Sequence, residues 1–325
     1  MKLATLRSRT IDGELVVVSR DLAQMVRATE IAPTLQAALD GWERVRPLLE
    51  QRYESLMTGR LREAEPFPID KAHSPLPRAY QWCDGSTYAA HEKRMSSWRN
   101  IEPSKLFAVE PFMYQGASDG FLAPADDIPA ASEEWGVDYE AEVAIVTDLV
   151  PYGTTVADAG KHVALVMLCN DVSLRNLIPH ELGKGFGFVQ SKPASAFSPV
   201  AVTPDELGDA WRDCRVHLPL RSMVDGTVFG TPNAGEMLHG FDRLIAHVAR
   251  TRSVGAGSII GGGTVANQDT AMGTSCIIER RVLEQLQYGE AKTPLLRYGD
   301  RVQIEMLDAA GKTIFGAIEQ KVVRV

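Results

Sequence analysis

The chain has 325 residues, 45% of them hydrophobic, and a formal net charge of −8, enough to bury a large core in one large domain plus a small one, or in two medium ones. It has no basic block, which disfavours nucleic acid as a partner, and no apolar run approaching a membrane span, so no membrane partner is expected. Four scattered cysteines, Cys83, Cys169, Cys214 and Cys276, form no Cys-x-x-Cys and fit a reduced, cytoplasmic protein.

Met1-Lys2-Leu3-Ala4-Thr5 opens a strand-like segment, not a signal peptide. Residues 1–20 read as two short strands around Asp12-Gly13, a hairpin signal. Leu35, Ala38, Leu39, Trp42, Val45, Leu48, Leu49 and Leu56 recur at spacings of three and four, which predicts a helix. Pro33 suits its first turn, and Pro47 would kink or end it. Glu65-Pro66-Phe67-Pro68 and Ser74-Pro75-Leu76-Pro77 then mark a crossing into a second unit. The expected division is a small N-terminal domain over 1–75 and a larger one over 76–325. In the larger unit, strands are expected over 107–114, 139–147, 163–170, 197–203, 215–221, 275–283, 301–307 and 313–324. Helices are expected near 155–162 and 234–251. Many strands with few helices argue for an α+β, β-rich fold rather than a βαβ repeat.

The most informative stretch is Asp138-Tyr139-Glu140-Ala141-Glu142-Val143-Ala144-Ile145-Val146. At a period of two, Glu140 and Glu142 share a strand face with Ala144 and Val146. Alternating glutamates are also usual on a solvated strand face. On a buried face, unpaired carboxylates are costly, and a hard divalent cation with oxygen ligands would offset that cost. Asp84 precedes His91 by seven residues, and two helical turns after a loop would bring them towards one pocket. A helix-capping Asp and a surface His would leave the same trace. The apolar run Val163–Cys169 ends in Asn170-Asp171, either a ligand at a strand end or turn chemistry. Glu279 follows Cys276-Ile277-Ile278 and could orient a histidine or pair with a nearby arginine.

Other patterns lead nowhere. Gly116-Ala117-Ser118-Asp119-Gly120 fits a nucleophile elbow, but Pro124 and Pro129 disfavour the helix that must follow. Gly255-Ala256-Gly257 lacks the third glycine of a dinucleotide fingerprint, with Ile260 in its place. His91-Glu92 and His180-Glu181 lack the second zincin histidine.

Taken in order, Asp84, His91, Glu140-x-Glu142 and Asn170-Asp171 resemble the fumarylacetoacetate hydrolase family, from about Tyr80 to the C-terminus. Ser173-Leu174-Arg175 resembles the family's Ser-x-Arg, Ser191-Lys192-Pro193 its lysine-bearing loop, and Gly263-Thr264 its Gly-Thr turn. Met113-Tyr114-Gln115-Gly116 is similar to a substrate-contacting Tyr-x-Gly, and Glu279 stands where the partner of the histidine is expected. The resemblance implies a mixed β-roll catalytic domain behind a small N-terminal domain, and a homodimer. It implies a divalent metal on Asp84, Glu140, Glu142 and Asp171, with Mg²⁺ first and Ca²⁺ or Mn²⁺ as alternatives. His91, Glu279 and Lys192 would be catalytic; Tyr114, Arg175 and Thr264 would meet substrate, and Arg94 or Arg99 would cap a second carboxylate. The chemistry implied is hydrolysis of a carbon–carbon bond in a small β-diketone acid, of fumarylacetoacetate or acylpyruvate type. Oxaloacetate decarboxylation, hydroxydienedioate isomerisation and a non-catalytic metal-binding homologue are the competing readings. Two positions depart from the pattern. Ser86 stands where fumarylacetoacetate-cleaving enzymes often carry an aromatic, and the segment after Arg175 lacks the family's glutamine.

Overall fold

The apolar alternation of the first twenty residues produces strands Lys2–Leu6 and Glu14–Val18, paired antiparallel. The computed structural model describes residues 1–98 and 101–325. Gly13 enters the second strand at φ +64°, where a Cβ would lie 2.5 Å from the Leu6 carbonyl oxygen, so only glycine fits. The expected helix forms as two, Leu35–Asp40 and Trp42–Met57. Thr34 is the N-cap, its hydroxyl accepting from Ala37 N at 3.1 Å, which leaves Pro33 outside the helix. The break falls at Gly41, and Pro47 lies inside the second helix. Burial of Trp42, Val45, Leu49, Tyr53 and Leu56 carries that helix past the backbone bond Pro47 cannot make.

The main sheet runs, edge to edge, Glu65–Pro66, Gln24–Arg27, Glu14–Val18, Lys2–Leu6, Ala201–Val202, Val163–Asn170, Ala141–Thr147, Ile259–Gly261, Trp82–Ser86 and Phe112–Gln115. Ile259–Gly261 pairs parallel with Trp82–Ser86. The first strand enters this sheet through Lys2–Val202 and Leu3–Ala201, so the N-terminal residues and the rest share one hydrogen-bonded surface. A second sheet orders Thr227–Gly230, Leu220–Val224, Arg301–Met306, Ile318–Arg324 and Ile128–Ala130.

Strand Ala141–Thr147 is buried on both faces. Val143 and Ile145 belong to one hydrophobic cluster, Ala144 and Val146 to another. The period-two reading of this strand therefore holds, but its glutamate face does not meet solvent. Segment 275–283 is the clear correction: it is the start of helix Ile277–Tyr288, not a strand. Its β-branched opening imitates a strand, while Glu279-Arg280-Arg281 and the residues beyond favour a helix. Segment 197–203 splits into Ala196–Phe197 and Ala201–Val202, and 107–114 is strand only from Phe112. Helices Ala89–Trp98 and Ile178–Lys184 and strands Trp82–Ser86 and Ile259–Gly261 complete the frame of the site. No helix among the described residues is long and apolar enough to cross a membrane.

Candidate active site

Three adjacent strands set the centre of the site. Asp84 is opposite Gly261 in register, and Gly261 is opposite Ala144, two residues from Glu142. A Cβ on Gly261 would lie 2.1 Å from Asp84 Oδ1. The bare glycine lets the Asp84 carboxylate lean over the middle strand. Asp171 follows the end of strand Val163–Asn170, its N–H bonded to Glu140 O at 3.0 Å. Asn170 is structural: its amide donates to Gln320 Oε1 at 2.9 Å and ties the two sheets.

Asp84, Glu142 and Asp171 each present an oxygen within 4.8 Å of the other two. Asp84 Oδ1 and Glu142 Oε1 are buried without a hydrogen-bond partner. Burial, then repulsion from Asp171, pushes the Asp84 pKa far up; burial, then Asp84 and Asp171, does the same for Glu142. Orphaned oxygens in an all-carboxylate set fit a hard divalent cation such as Mg²⁺, Mn²⁺ or Ca²⁺.

Glu140 joins this cluster differently. Its oxygens pair with Lys192 Nζ at 2.6 Å and Arg175 Nη1 at 2.7 Å. Burial alone would raise its pKa, but Lys192, Arg175 and His91 together hold it below the usual carboxylate range. Lys192 also bonds Asp171, and these two acids outweigh burial to keep the buried amine protonated. Tyr114, paired in register with Asp84, donates to Asp171 Oδ2 at 2.7 Å, and Ser195 donates to Asp171 Oδ1 at 2.9 Å. Phe188 packs edge-on against Tyr114 with ring centroids 5.0 Å apart.

The second half of the site lies between helices Ala89–Trp98 and Ile277–Tyr288. His91 Nδ1 is 2.6 Å from Glu279 Oε2. Arg94, one turn on from His91, bonds Glu279 Oε1 and donates from Nη2 to Asn267 O at 2.6 Å. Glu279 is fully buried while the His91 side chain is 13% exposed, so the ring is the part of the pair that can meet a ligand.

Asp138 joins the two halves and carries no role in the sequence reading. Its Oδ1 accepts from Ile277 N and its Oδ2 from Ile278 N, both at 2.9 Å, capping the helix that bears Glu279. The same carboxylate accepts from Arg175 Nε at 2.8 Å, and Arg175 holds Glu140. A signal was present: Asp138, Glu140 and Glu142 repeat at a period of two. Glu181 also supports the site without a sequence motif to mark it. It accepts from the N–H groups of Val189, Gln190 and Ser191 and closes the loop leading to Lys192.

The structure thus gathers Asp84, Glu142, Asp171, Glu140, Lys192, Tyr114 and Arg175 at one centre, with the His91–Glu279 pair reaching it through Asp138 and Arg175. Arg175 is occupied by two carboxylates, and only its Nη2 is without a partner. Arg94 is committed to Glu279 and main-chain carbonyls rather than free for a second substrate carboxylate. Arg99 lies outside the described residues. Thr264 is buried next to Gly263, whose φ of +88° lets its N–H reach Glu142 Oε2 at 3.2 Å.

Comparison with known proteins places these residues in a wider setting. The family model described as "Fumarylacetoacetate (FAA) hydrolase C-terminal" matches residues 81–323. One described as "Fumarylacetoacetase N-terminal domain 2" matches residues 1–78. A 2,4-didehydro-3-deoxy-L-rhamnonate hydrolase of Sphingomonas sp. (strain SKA58) is 29% identical over 50% of this chain and 56% of its own length. The human mitochondrial oxaloacetate tautomerase FAHD2B is 26% identical over 56% of this chain and 54% of its own. The chain thus spans about half the length of the curated relatives it matches. The maleylpyruvate hydrolase of Sphingobium sp. SYK-6, solved with manganese(II) ion and pyruvate, superposes with a TM-score of 0.65 at 17% identity, covering 100% of this chain and 99% of that one.

Proposed function

The chain belongs to the fumarylacetoacetate hydrolase family, and we propose that it is a metal-dependent hydrolase of a carbon–carbon bond in a small β-diketone acid, of acylpyruvate or fumarylacetoacetate type. The observation that carries this reading is the His91–Glu279 contact of 2.6 Å, a base with its orienting acid in a site that also holds the partnerless Asp84 Oδ1 and Glu142 Oε1. Asp84, Glu142 and Asp171, with Glu140 at their side, would hold the divalent cation. The manganese complex of the maleylpyruvate hydrolase supports a divalent ion in this fold. When bound, the ion supplies Lewis-acid stabilisation of negative charge on the substrate oxygens.

The chain's own groups supply the rest. His91 Nε2 takes a proton from water while Glu279 fixes the ring and stabilises its charged form. The water oxygen bonds to one carbonyl carbon of the diketone. The carbon–carbon bond beside it then breaks, and its electron pair leaves in the enolate of the second fragment. That carbon recovers a proton from His91, giving a carboxylic acid and a keto acid. Lys192, kept charged by Glu140 and Asp171, adds a positive field for the developing oxyanion. Tyr114, Thr264 and Arg175 Nη2 are the groups assigned to substrate polar atoms.

A second reading follows from the tautomerase relatives. The same pair can carry a proton between carbon and oxygen of a keto acid without adding water. A panel of acylpyruvates and oxaloacetate with Mg²⁺ separates the two. Loss of diketone absorbance with release of two acids supports hydrolysis. Faster keto–enol exchange of oxaloacetate with every diketone left intact replaces it with tautomerisation. His91→Ala is expected to lower the hydrolytic kcat by about 10²–10⁴-fold while cation binding, read by calorimetry, persists. Wild-type turnover in that variant would remove His91 from its role.

A further inference from the structure

The His91–Glu279 pair has a third neighbour that the proposed reaction does not use. Cys276 opens helix Ile277–Tyr288, is fully buried, and presents Sγ within 4.8 Å of a His91 ring nitrogen and a Glu279 oxygen. Its thiol donates no hydrogen bond among the described residues. The three residues come from two helices that face each other across the site, with Met95 and Ile278 packed beside the thiol. Imidazole, thiolate and carboxylate are a different donor set from the oxygen-only cluster of Asp84, Glu142 and Asp171.

We propose that His91, Cys276 and Glu279 form a second cation site, selective for thiophilic divalent ions such as Zn²⁺ or Co²⁺, whose occupation switches the enzyme off. Three protein ligands of these types plus a water match a tetrahedral zinc site, with metal–sulfur bonds of about 2.3 Å and metal–nitrogen bonds of about 2.0 Å. Ligand atoms around such an ion stand about 3–4 Å apart. The existing cluster needs only modest closure around sulfur and a slight opening of the 2.6 Å His91–Glu279 contact. Arg94 stays on the other Glu279 oxygen and needs no displacement. Entry is from the His91 side, the one partly exposed member. Mg²⁺ has little affinity for thiolate, so the two clusters sort cations by softness. A neutral imidazole that ligates through Nδ1, the nitrogen facing Glu279, carries its proton on Nε2 and has no lone pair there for water, so the base is removed while the oxygen cluster keeps its own ion.

The cation site stands on geometry alone; the inhibition rests on the proposed hydrolysis, and the test separates them. The full chain, saturated with Mg²⁺, is titrated with Co²⁺ and followed in the near ultraviolet, where thiolate–Co²⁺ charge transfer absorbs. Wild type is expected to develop that band at one equivalent per chain and to lose it when Zn²⁺ is added. Cys276→Ser and Cys276→Ala are expected to show no band. No band in wild type, or an equal band in both variants, overturns the site whether or not any substrate has been found. Where a diketone acid is turned over, Zn²⁺ is expected to inhibit wild type, and the Cys276 variants to require about tenfold more Zn²⁺ or above. Equal sensitivity of wild type and variants overturns the switch.

Discussion

A single carboxylate, Asp138, shows how much of this site depends on a side chain spent wholly on protein donors. It is fully buried and accepts from Tyr139 N, Ile277 N, Ile278 N and Arg175 Nε. Four donors on two oxygens fill its acceptor capacity, and an amide in its place would turn one acceptor into a donor facing N–H groups. Asp138→Asn is therefore expected to cost about 3 kcal/mol or more, measured by denaturant unfolding. It also releases the N-terminus of the helix that holds Glu279, so kcat should fall and the acidic limb of the pH–rate profile, where the His91 base becomes protonated, should move. A variant with wild-type stability and an unmoved profile would show that the cap does not position Glu279. Asp138 stands at a period of two with Glu140 and Glu142. That spacing could not show that one acid faces a helix N-terminus while its neighbours face the cluster.

At the scale of elements, the short helix Ile178–Lys184 and the loop after it lead the chain into Lys192. Gly185 ends the helix at φ +75°, and the chain returns through Phe186, Phe188 and Val189 to Ser191. Glu181 ties that return. Burial raises its pKa, but Ser191 Oγ and three main-chain N–H groups outweigh burial and bring it down to about 2. A depressed folded-state pKa contributes stability that is present in full above the unfolded value near 4.5 and is lost as pH falls towards about 2. The loop is thus expected to become sensitive to proteolysis between those values, before the strands open, each pH being read with a protease active there. Glu181→Gln should make it sensitive at neutral pH as well. Equal cleavage of wild type at pH 3 and pH 7 would remove this role. The helix over Ile277–Tyr288 teaches the complementary lesson. Cys276-Ile277-Ile278 reads locally as strand, and capping by a carboxylate over 130 residues away in sequence selects helix instead.

Over the whole molecule, the carboxylate cluster draws together strands Trp82–Ser86, Ala141–Thr147 and the turn after Val163–Asn170. The partnerless Asp84 Oδ1 and Glu142 Oε1 are a cost at the centre of the main sheet that a bound cation would offset. A ligand that binds only the folded state stabilises it by about 2.7 kcal/mol at a hundred times its dissociation constant. Excess chelator is expected to lower both the melting temperature and diketone hydrolysis, and Mg²⁺ or Mn²⁺ to restore both. Unchanged melting under chelation would argue that the three carboxylates share protons rather than a metal. The N-terminal residues take part in the same balance, because Leu3, Leu15 and Val17 pack in one cluster with Trp82, Val146 and Phe197.

The order and spacing of Asp84, His91, Glu140, Glu142, Asp171, Lys192 and Glu279 were readable along the chain, as were the period-two strand and the β-rich class. Those features are local, or repeat in a pattern that needs no partner to be recognised. The tertiary structure alone decided which oxygens lack a partner and which are already spent on Lys192 and Arg175. It alone turned 275–283 into a helix, committed Arg94 to Glu279, and set a thiol beside the imidazole. Each of these depends on groups far apart in sequence meeting at low dielectric, where an unpaired charge or donor is costly and its one available partner determines what it does.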